Sequence, residues 1–386
     1  MNDKRNRTWV EIDLDHVVHN YLQAKQKAGN KRVMCVIKAD AYGHGAVPVA
    51  SALCEAGADY FAVATPEEAL QLRRHYIDRD ILLLGTPTPS AITELNVNDI
   101  TLTVSNEMVA KAYAQILQQN HCKQKIHIKI DSGMSRQGIQ ADAAVEQILR
   151  IHALSCFEIE GLYTHLAAAD GINEKVFTEE QYKKTFQIVQ TLENYGLPIP
   201  LFHISNSAGI IAHSYMNADM VRPGIMLYGS NPCRDVPIDL RPAMSLHTRV
   251  SNILNVKKGE TVGYGRTWTA KKDSVIGVLN IGYADGLMRS LSGILPVLIN
   301  DQCVKQVGRI CMDMCMIDIT DVSGAAIGDV ATIIGRQGDN EITADEVADL
   351  CDTISYEVFC AVGKRVPRIY MQGNNECFGE CYIDLI

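Results

Sequence analysis

The chain has 386 residues, 47% of them hydrophobic, and a formal net charge of -9. This length and apolar content suit two domains, or one large domain with an appendage. The acidic balance, with no long block of lysine or arginine, argues against a nucleic-acid partner. Basic residues near the start are not followed by an apolar run, and no stretch approaches the roughly 18 apolar residues of a membrane span. We therefore expect a cytoplasmic protein that does not associate with membranes.

The twelve cysteines do not have the spacing of a metal site or of a disulfide framework. None forms Cys-x-x-Cys, and the closest pairs, Cys311/Cys315 and Cys377/Cys381, lack a second matching pair or nearby histidines. Without an export signal, reduced thiols are expected. Several cysteines lie in apolar runs that predict strands, where the thiol would act as a small hydrophobic group: Cys35, Cys303 and Cys360.

Short β-like runs alternate with helix-periodic segments between residues 30 and 230. The eight predicted strands are Val33–Ile37, Tyr60–Ala64, Ile81–Leu84, Thr101–Val104, Ile126–Ile130, Glu158–His165, Leu201–Ile204 and Met220-Val221. The segments between them include the predicted helices Pro66–His75, Asn106–Gln119, Ala141–Ala153 and Lys175–Tyr195. Eight strand–helix units of about 25 residues favour a closed (β/α)8 TIM-like barrel over an open doubly wound sheet.

Two further features complete the predicted architecture. An amphipathic helix over 14–28 precedes the first predicted barrel strand and could occupy the place of a missing last helix. After residue 240 the runs become short, β-rich and separated by turns, with one helical stretch at Thr343–Thr353. We therefore predict a barrel domain over 1–240 and a mostly antiparallel β domain over 241–386.

Chemically capable side chains follow five of the eight predicted barrel strands. In parallel barrels the reactive groups project from the carboxyl ends of strands, so a site is expected there, although any one of these residues alone could be an ordinary rim residue. The residues are Lys38 and Tyr42 after strand one; Lys129, Asp131 and Arg136 after strand five; His165 after strand six; His203, Asn206 and Ser207 after strand seven; and Arg222, Gly224 and Ile225 after strand eight.

Lys38 closes an apolar run and opens a glycine-containing loop. Burial disfavours a charged amine, so this position suits a lysine that reacts as a neutral nucleophile, although an ordinary strand-end lysine is the alternative. The last two loops of a barrel often bind phosphate through backbone N–H groups and a hydroxyl, which Gly224, Ile225 and Ser207 could provide. A lysine amine and a phosphate site together describe a pocket for pyridoxal 5'-phosphate (PLP).

An ordered set of motifs spans nearly the whole chain and resembles the alanine racemase family. Taken together the set is highly specific, whereas no single motif is. The motifs are WVEIDLDHVVHN, VIKADAYGHG, DSGMSRQG, THLAAAD, SNSAGI, VRPGIMLYG, VGYGRTWTA, IGYADG, VGRICMD and TISYEVFC.

The resemblance implies a PLP-dependent isomerase that interconverts L- and D-alanine and supplies D-alanine for peptidoglycan. It also implies a homodimer in which the β domain of one protomer completes the active site of the other. The implied roles are Lys38 and Tyr264 as catalytic residues, with Lys38 also holding PLP; Tyr42, Ser207, Gly224, Ile225 and Tyr356 at the phosphate; Arg222 at the pyridine nitrogen; His165 beside the ring and near Tyr264; Arg136 and Met312 at the substrate; and Cys311, Asp313 and Tyr283 in support.

The chemistry of these side chains agrees with racemisation. One base removes the α-proton and an acid on the opposite face returns it, so an amine and a phenol with ordinary pKa values near 10 must both be tuned downward. Neighbouring cations would stabilise the Tyr264 phenolate. A guanidinium cannot supply a proton, so Arg222 would leave the pyridine nitrogen unprotonated and limit transamination. Lys129 would be either unmodified or carbamylated and holding Arg136.

Several alternatives remain open at this level. Trp268, in a segment where relatives carry smaller or phenolic residues, could alter the rim of the site or an interface. A racemase acting mainly on serine would share nearly every residue named above. A related PLP decarboxylase would carry a catalytic cysteine beside acidic residues in its β domain. The stretch Cys311-Met312-Asp313 resembles such a site only weakly. A non-catalytic PLP-binding barrel would not need the β domain.

Overall fold

A computed structural model describes residues 5–373 and 375–380. These residues form two compact units. The first, which we call the barrel unit, comprises Val17–Ala41 and Ala46–Arg241. The second, which we call the sheet unit, comprises the described residues up to His16, the segment Tyr42–Gly45 and the described residues from Pro242 onward.

Eight parallel strands make up the centre of the barrel unit. They pair in chain order, and the eighth pairs with the first, so the sheet closes on itself. The predicted (β/α)8 barrel is confirmed. The strands are Arg32–Val36, Tyr60–Val63, Asp80–Leu83, Thr101–Val104, Gln124–Asp131, Phe157–Tyr163, Leu201–His203 and Met220–Val221, with a two-residue strand Ile139–Gln140 beside the fifth.

Every residue of the second and fourth barrel strands is buried, Tyr60–Val63 and Thr101–Val104. Parallel strands are covered on both faces, which is why a strand such as Tyr60–Val63 appears in the sequence as a continuous apolar run. The sixth strand ends at Tyr163 rather than at His165, which lies two residues beyond it.

Helices connect the barrel strands, and their buried residues recur at the spacing of one helix face. In the helix after the fourth strand, Ala110, Tyr113, Ala114 and Leu117 are buried, and Asn106 caps the first turn. The helices are Leu14–Ala28, most of which belongs to this unit, Ala46–Glu55, Pro66–Arg74, Ile92–Val97, Glu107–Gln119, Ala144–His152, Lys175–Asn194 and Ser207–Ala212.

The sheet unit is built almost entirely from antiparallel pairs, as predicted. Six of its strands form a closed ring, because Met244–Val256 and Val330–Gln337 pair with each other as well as with their other neighbours. Its strands are Thr8–Asp13, Met244–Val256, Thr261–Val262, Trp268–Thr269, Ser274–Leu279, Pro296–Ile299, Gln302–Val307, Cys315–Asp318, Val330–Gln337, Asn340–Ile342, Arg368–Gln372 and Asn375–Glu380, and its helices are Ala344–Leu350 and Ser355–Ala361.

The first strand of the chain belongs to this sheet and was not predicted. Thr8–Asp13 lies antiparallel to Met244–Val256 and parallel to Arg368–Gln372. Its pairing partners therefore lie more than 230 residues later in the chain. The second short helix, Ser355–Ala361, was also not predicted.

The predicted environment is correct for Cys35, which is fully buried in the first barrel strand. It is wrong for Cys303 and Cys360, whose side chains are exposed, and Cys360 lies in a helix. Cys381 lies outside the described residues. Within the described part of the chain, no three His, Cys, Asp or Glu side chains are grouped to hold a metal ion. Among the same residues, no helix is both long enough and apolar enough to span a membrane.

Candidate active site

The loop after the first barrel strand begins with half-buried Lys38, and the residues that follow Lys38 have an unusual backbone conformation. Ala39, Asp40 and Ala41 all have φ near +53°, in the left-handed region that costs residues with a Cβ roughly 1 kcal/mol each. The Asp40 carboxylate accepts a hydrogen bond from the Ala46 N–H at 2.7 Å, which closes the loop. The conformation is therefore held by specific hydrogen bonds.

Glu68 supplies a second restraint on this loop and was missed by the sequence analysis. Its Oε1 accepts from the Ala39 N–H at 2.6 Å, and its Oε2 accepts from the Ala64 N–H at 2.7 Å. Thr65 and Glu68 also form the capping box of the following helix. The Thr-x-x-Glu spacing was the available signal, but it indicated only a helix start.

Ser207 joins the loops after strands seven and eight. Its Oγ accepts from the backbone N–H groups of Gly224 and Met226 at 2.9 and 3.3 Å. Ser207 begins a short helix whose cap is the Asn206 side chain, which accepts from the Gly209 N–H at 2.9 Å. The Ser207 hydroxyl proton remains able to donate to an anion.

Arg222 is 3% exposed and is held on several sides. Its Nη1 donates to His203 Nδ1 at 2.9 Å, and its Nη2 donates to the carbonyls of Thr164 and Ile204 at 2.7 and 3.1 Å. The Nη2 group is also 3.4 Å from His165 Nδ1. Burial lowers the pKa of the Arg222 guanidinium to about 10, so it stays charged at neutral pH.

Positive groups crowd this end of the barrel. Lys129 is 6% exposed, with its Nζ 4.3 Å from the centroid of the Tyr163 ring. Burial and the charges of Arg222 and Arg136 hold the pKa of Lys129 well below its usual range. The pKa of His165 is also held well below its usual range, first by burial and then by the neighbouring charges of Arg222, Lys129, Arg136 and Lys38. His165 is therefore neutral at pH 7. Such a cluster suits an anionic ligand.

In the sheet unit, Tyr264 lies on an exposed turn between the strands Thr261–Val262 and Trp268–Thr269. Its side chain is 72% exposed. The flanking Gly265 has φ of +72°, and a Cβ there would lie 3.2 Å from the Arg309 guanidinium carbon. This glycine therefore lets a cation approach the backbone next to Tyr264.

Trp268 packs inward within the sheet unit. It lies against a buried cluster that includes Val262, Ile276, Val307 and Met316. Its indole thus helps anchor the hairpin that carries Tyr264.

Two loops of the sheet unit bring Tyr283, Cys311 and Met312 together. The N–H groups of Tyr283 and Ala284 donate to the carbonyls of Cys311 and Met312, both at 3.0 Å. A Cβ at Gly282 would lie 2.3 Å from the Met312 carbonyl oxygen, so only glycine permits this approach. The predicted supporting and substrate-binding residues of this unit therefore share one backbone platform.

A buried carboxylate anchors that platform. Asp285 has no exposed side-chain surface and accepts two hydrogen bonds from Arg7, at 2.7 Å each, and one from Arg365 at 2.7 Å. Arg365 also reaches Asp313 at 2.7 Å. Asp313 was predicted from the sequence as a supporting residue, whereas the other three members of this network were not.

Tyr42 and Tyr356 also meet within the sheet unit, with ring centroids 5.8 Å apart. The backbone segments near Tyr42 and Tyr356 both accept hydrogen bonds from Arg368, which is 2% exposed. Its guanidinium donates to carbonyls on either side of the pair, at distances of 2.7 to 3.3 Å: Gly43, Val362, Gly363 and Val366.

Replacing Arg368 with leucine should lower the free energy of unfolding by about 3 kcal/mol, because several buried carbonyls would lose their donors at once. Urea unfolding followed by circular dichroism measures this. Arg336→Leu is the matched control, since Arg336 is 75% exposed in its pair with Glu341 and should change stability little. Equal effects of the two substitutions would contradict the anchoring role.

The structure thus collects the predicted residues into two groups. The barrel unit brings together Lys38, Lys129, Asp131, Arg136, His165, Ser207, Arg222, Gly224 and Ile225. The sheet unit holds Tyr42 with Tyr356, the platform of Tyr283, Cys311, Met312 and Asp313, and Tyr264 on its own turn.

A closed parallel barrel with cationic residues at the strand ends, followed by an antiparallel sheet unit, defines a barrel-type enzyme. Residues 12–232 match the family model "Alanine racemase, N-terminal domain", and residues 243–370 match "Alanine racemase, C-terminal domain". The chain belongs to the alanine racemase family, a family of isomerases.

Individual relatives agree along nearly the full length. The chain is 44% identical over 375 residues to Alanine racemase 2 of Caldanaerobacter subterraneus subsp. tengcongensis, covering 96% of each chain. The alanine racemase structure from Clostridium difficile 630 superposes with a TM-score of 0.93 at 36% identity, covering 98% of this chain and 99% of that one. The Bacillus anthracis alanine racemase with bound L-Ala-P gives a TM-score of 0.93 at 37% identity, with 99% of each chain covered.

Proposed function

We propose that this protein is a PLP-dependent enzyme that interconverts L-alanine and D-alanine in the cytoplasm and supplies D-alanine for peptidoglycan. The observation that carries the proposal is the cluster of lysine and arginine side chains at the carboxyl end of the barrel strands, in which buried Arg222 contacts the neutral imidazoles of His165 and His203. The relatives named above are alanine racemases over almost the whole chain.

The residues present fit PLP. A phosphate matches the hydroxyl of Ser207 and the turn at Gly224 and Ile225, where Ser207 already organises two backbone N–H groups. Tyr42 and Tyr356 complete the proposed phosphate contacts, and their rings are already paired. Lys38 offers the amine that bonds the cofactor, Arg222 faces its pyridine nitrogen, and His165 lies beside its ring. When bound, the cofactor withdraws electrons from Cα of the amino acid and makes its hydrogen acidic.

Lys38 and Tyr264 exchange the proton at Cα from opposite faces. In each direction one of them removes the proton as a base and the other returns one as an acid. Arg222 donates hydrogen bonds but no proton, which keeps the reaction to proton exchange.

Arg136 and the backbone at Met312 hold the carboxylate of the substrate, with Cys311, Asp313 and Tyr283 supporting that backbone. Lys129 lies beside Arg136 in one of two states. The lowered pKa of Lys129 favours its neutral amine, which is the form that carbon dioxide carbamylates, and a carbamylated Lys129 would accept hydrogen bonds from Arg136. An unmodified Lys129 would instead face Arg136 as a like charge whenever it is protonated.

The active form is a homodimer in which the β domain, residues 241–386, completes the active site of the partner's barrel domain, residues 1–240. The exposed position of Tyr264 supports this arrangement, because a catalytic phenol must be covered by protein when it works.

One spectrum and one assay test the proposal. The purified protein should show an absorbance band at about 420 nm. Borohydride should remove this band, and Lys38→Ala should lack it. The same preparation should abolish the circular dichroism signal of L-alanine by converting it to the racemate, and Lys38→Ala should not. A protein that binds PLP without racemising alanine would be a binding barrel, and one that releases carbon dioxide from a diamino acid would be a decarboxylase.

Alanine should be preferred over serine. Tyr264 and Tyr356 would crowd the space around a methyl side chain, and one added hydroxyl is rejected only weakly unless it leaves a buried polar group unpaired. We expect kcat/KM for L-serine to be lower than that for L-alanine, within about a hundredfold. An equal or higher value for L-serine would assign the enzyme as a serine racemase instead.

A further inference from the structure

Arg222 stands at one end of a chain of four hydrogen-bonded side chains that runs through the interior of the barrel. Arg222 Nη1 is 2.9 Å from His203 Nδ1, His203 Nε2 is 2.8 Å from His127 Nδ1, and His127 Nε2 is 2.9 Å from Glu160 Oε2. Both histidines are fully buried. The catalytic scheme above uses Arg222 but none of the other three residues.

The two ends of this chain impose the same direction on every hydrogen bond. A guanidinium has only donors, and an ionised carboxylate has only acceptors. His203 must therefore accept at Nδ1 and donate from Nε2, and His127 must do the same. Both rings are then neutral with the proton on Nε2. Burial, which lowers the pKa of each histidine, agrees with the neutral state.

The backbone is shaped to place Glu160 in this chain. In the pairing of strands five and six, Ile126 opposes Ile159 and His127 opposes Gly161, so Glu160 is the extra residue of a β-bulge. Bulges redirect side chains and are over-represented beside active sites. A Cβ at Gly161 would lie 2.7 Å from atoms of the His127 ring, so the missing side chain makes room for that imidazole.

Other groups hold the two ends of the histidine pair. The Tyr60 hydroxyl donates to Glu160 Oε2 at 2.9 Å, and Lys125 Nζ lies 3.9 Å from Glu160 Oε1. His203 stacks on the Tyr163 ring, with centroids 4.7 Å apart and planes inclined by 8°. The geometry of both rings is thus set by packing as well as by hydrogen bonds.

We propose that Glu160 and His127 are positioning residues for Arg222: they set the direction of the hydrogen-bond chain and place a compensating negative charge at its far end. The inference rests on the proposed function, in which Arg222 faces the pyridine nitrogen. Successive hydrogen bonds polarise one another, so the carboxylate acts on the guanidinium through two neutral rings. The guanidinium plane of Arg222 is thereby fixed, and its positive charge is retained. Along this hydrogen-bond chain the compensating carboxylate does not touch Arg222, because two imidazole rings lie between them.

Nuclear magnetic resonance of the holoenzyme labelled with nitrogen-15 in histidine tests the direction of the chain. His127 and His203, assigned by their single substitutions to asparagine, should both be neutral and protonated on Nε2 between about pH 6 and pH 9. A proton on Nδ1 of either ring, or a doubly protonated ring in this range, would overturn the proposal.

Glu160→Gln tests the coupling between the two ends. The amide still accepts a hydrogen bond but carries no charge, so the Nε2–H proton signal of His127 should move upfield, and that of His203 should follow by a smaller amount. Glu158→Gln, an exposed change of the same charge two residues earlier on the same strand, should move neither signal. A His203 signal that stays unchanged in Glu160→Gln would show that the far end does not act on Arg222.

Kinetics supply the functional part of the test. Because Glu160 is proposed to act through Arg222 and not on the substrate, Glu160→Gln should lower kcat about tenfold and leave KM for alanine within about twofold, whereas Glu158→Gln changes neither. An unchanged kcat would overturn the positioning role even if the signals moved. A wild-type protein that binds no PLP would instead refute the proposed function, while the tautomers in the same sample would still report the direction of the chain.

Discussion

Lys38→Ala and Tyr264→Phe chains, each nearly inactive alone, should recover about a quarter of wild-type racemase activity when they are co-expressed. Random pairing makes about half of the dimers mixed, and each mixed dimer has one intact site out of two. This result is expected because the site is proposed to combine Lys38 of one protomer with Tyr264 of the other. One site of the mixed dimer then carries both substitutions, and the other carries neither.

The opposite arrangement gives a clear alternative result. If Lys38 and Tyr264 of the same chain formed a site, every site in the mixture would contain one substitution and mixing would restore nothing. The control is a mixture of Lys38→Ala with Lys38→Arg, which should stay inactive because both chains lack the same group. Refolding the mixture from urea should give the same outcome as co-expression.

Arg222→Glu should slow racemisation by about 100-fold or more and open a transamination side reaction. A carboxylate in place of the guanidinium would favour a protonated pyridine nitrogen and hence a stronger electron sink. It would also face His203 Nδ1, which in the wild-type protein accepts from Arg222 at 2.9 Å. Pyruvate formed from alanine, measured beside the racemisation rate, gives the partition between the two reactions.

Arg222→Lys is the matched control for this partition. It keeps the positive charge but loses the forked donors, so racemisation should fall while pyruvate stays near the wild-type level. Unchanged partitioning in Arg222→Glu would show that Arg222 does not tune the ring nitrogen.

The barrel was predictable because its strands are buried on both faces. Runs such as Tyr60–Val63 are apolar throughout and are separated by helices with their own periodicity. The order of the strands then follows from the rules for parallel crossovers. Residues that carry chemistry at the ends of such strands can be named from sequence because the fold places all carboxyl ends on one side.

The residues missed by the sequence analysis share a different property. Asp285 and Glu160 are ordinary acidic residues in their local sequence, and their roles come from partners far along the chain. Asp285 binds Arg7, which is 278 positions earlier, and Glu160 acts through a bulge whose register depends on the neighbouring strand. The strand Thr8–Asp13 was missed for the same reason, since basic residues precede it and its partners lie beyond position 240.

The position of that first strand has a consequence for protein synthesis. Thr8–Asp13 is translated before the other strands that the structure describes, yet its partner Thr248 is made 240 residues later. The whole barrel unit is translated in between, and domains generally fold in the order in which they are made. Thr8–Asp13 must therefore wait unpaired while the barrel unit folds, and its place in the sheet is complete only after Arg368–Gln372 has also been made.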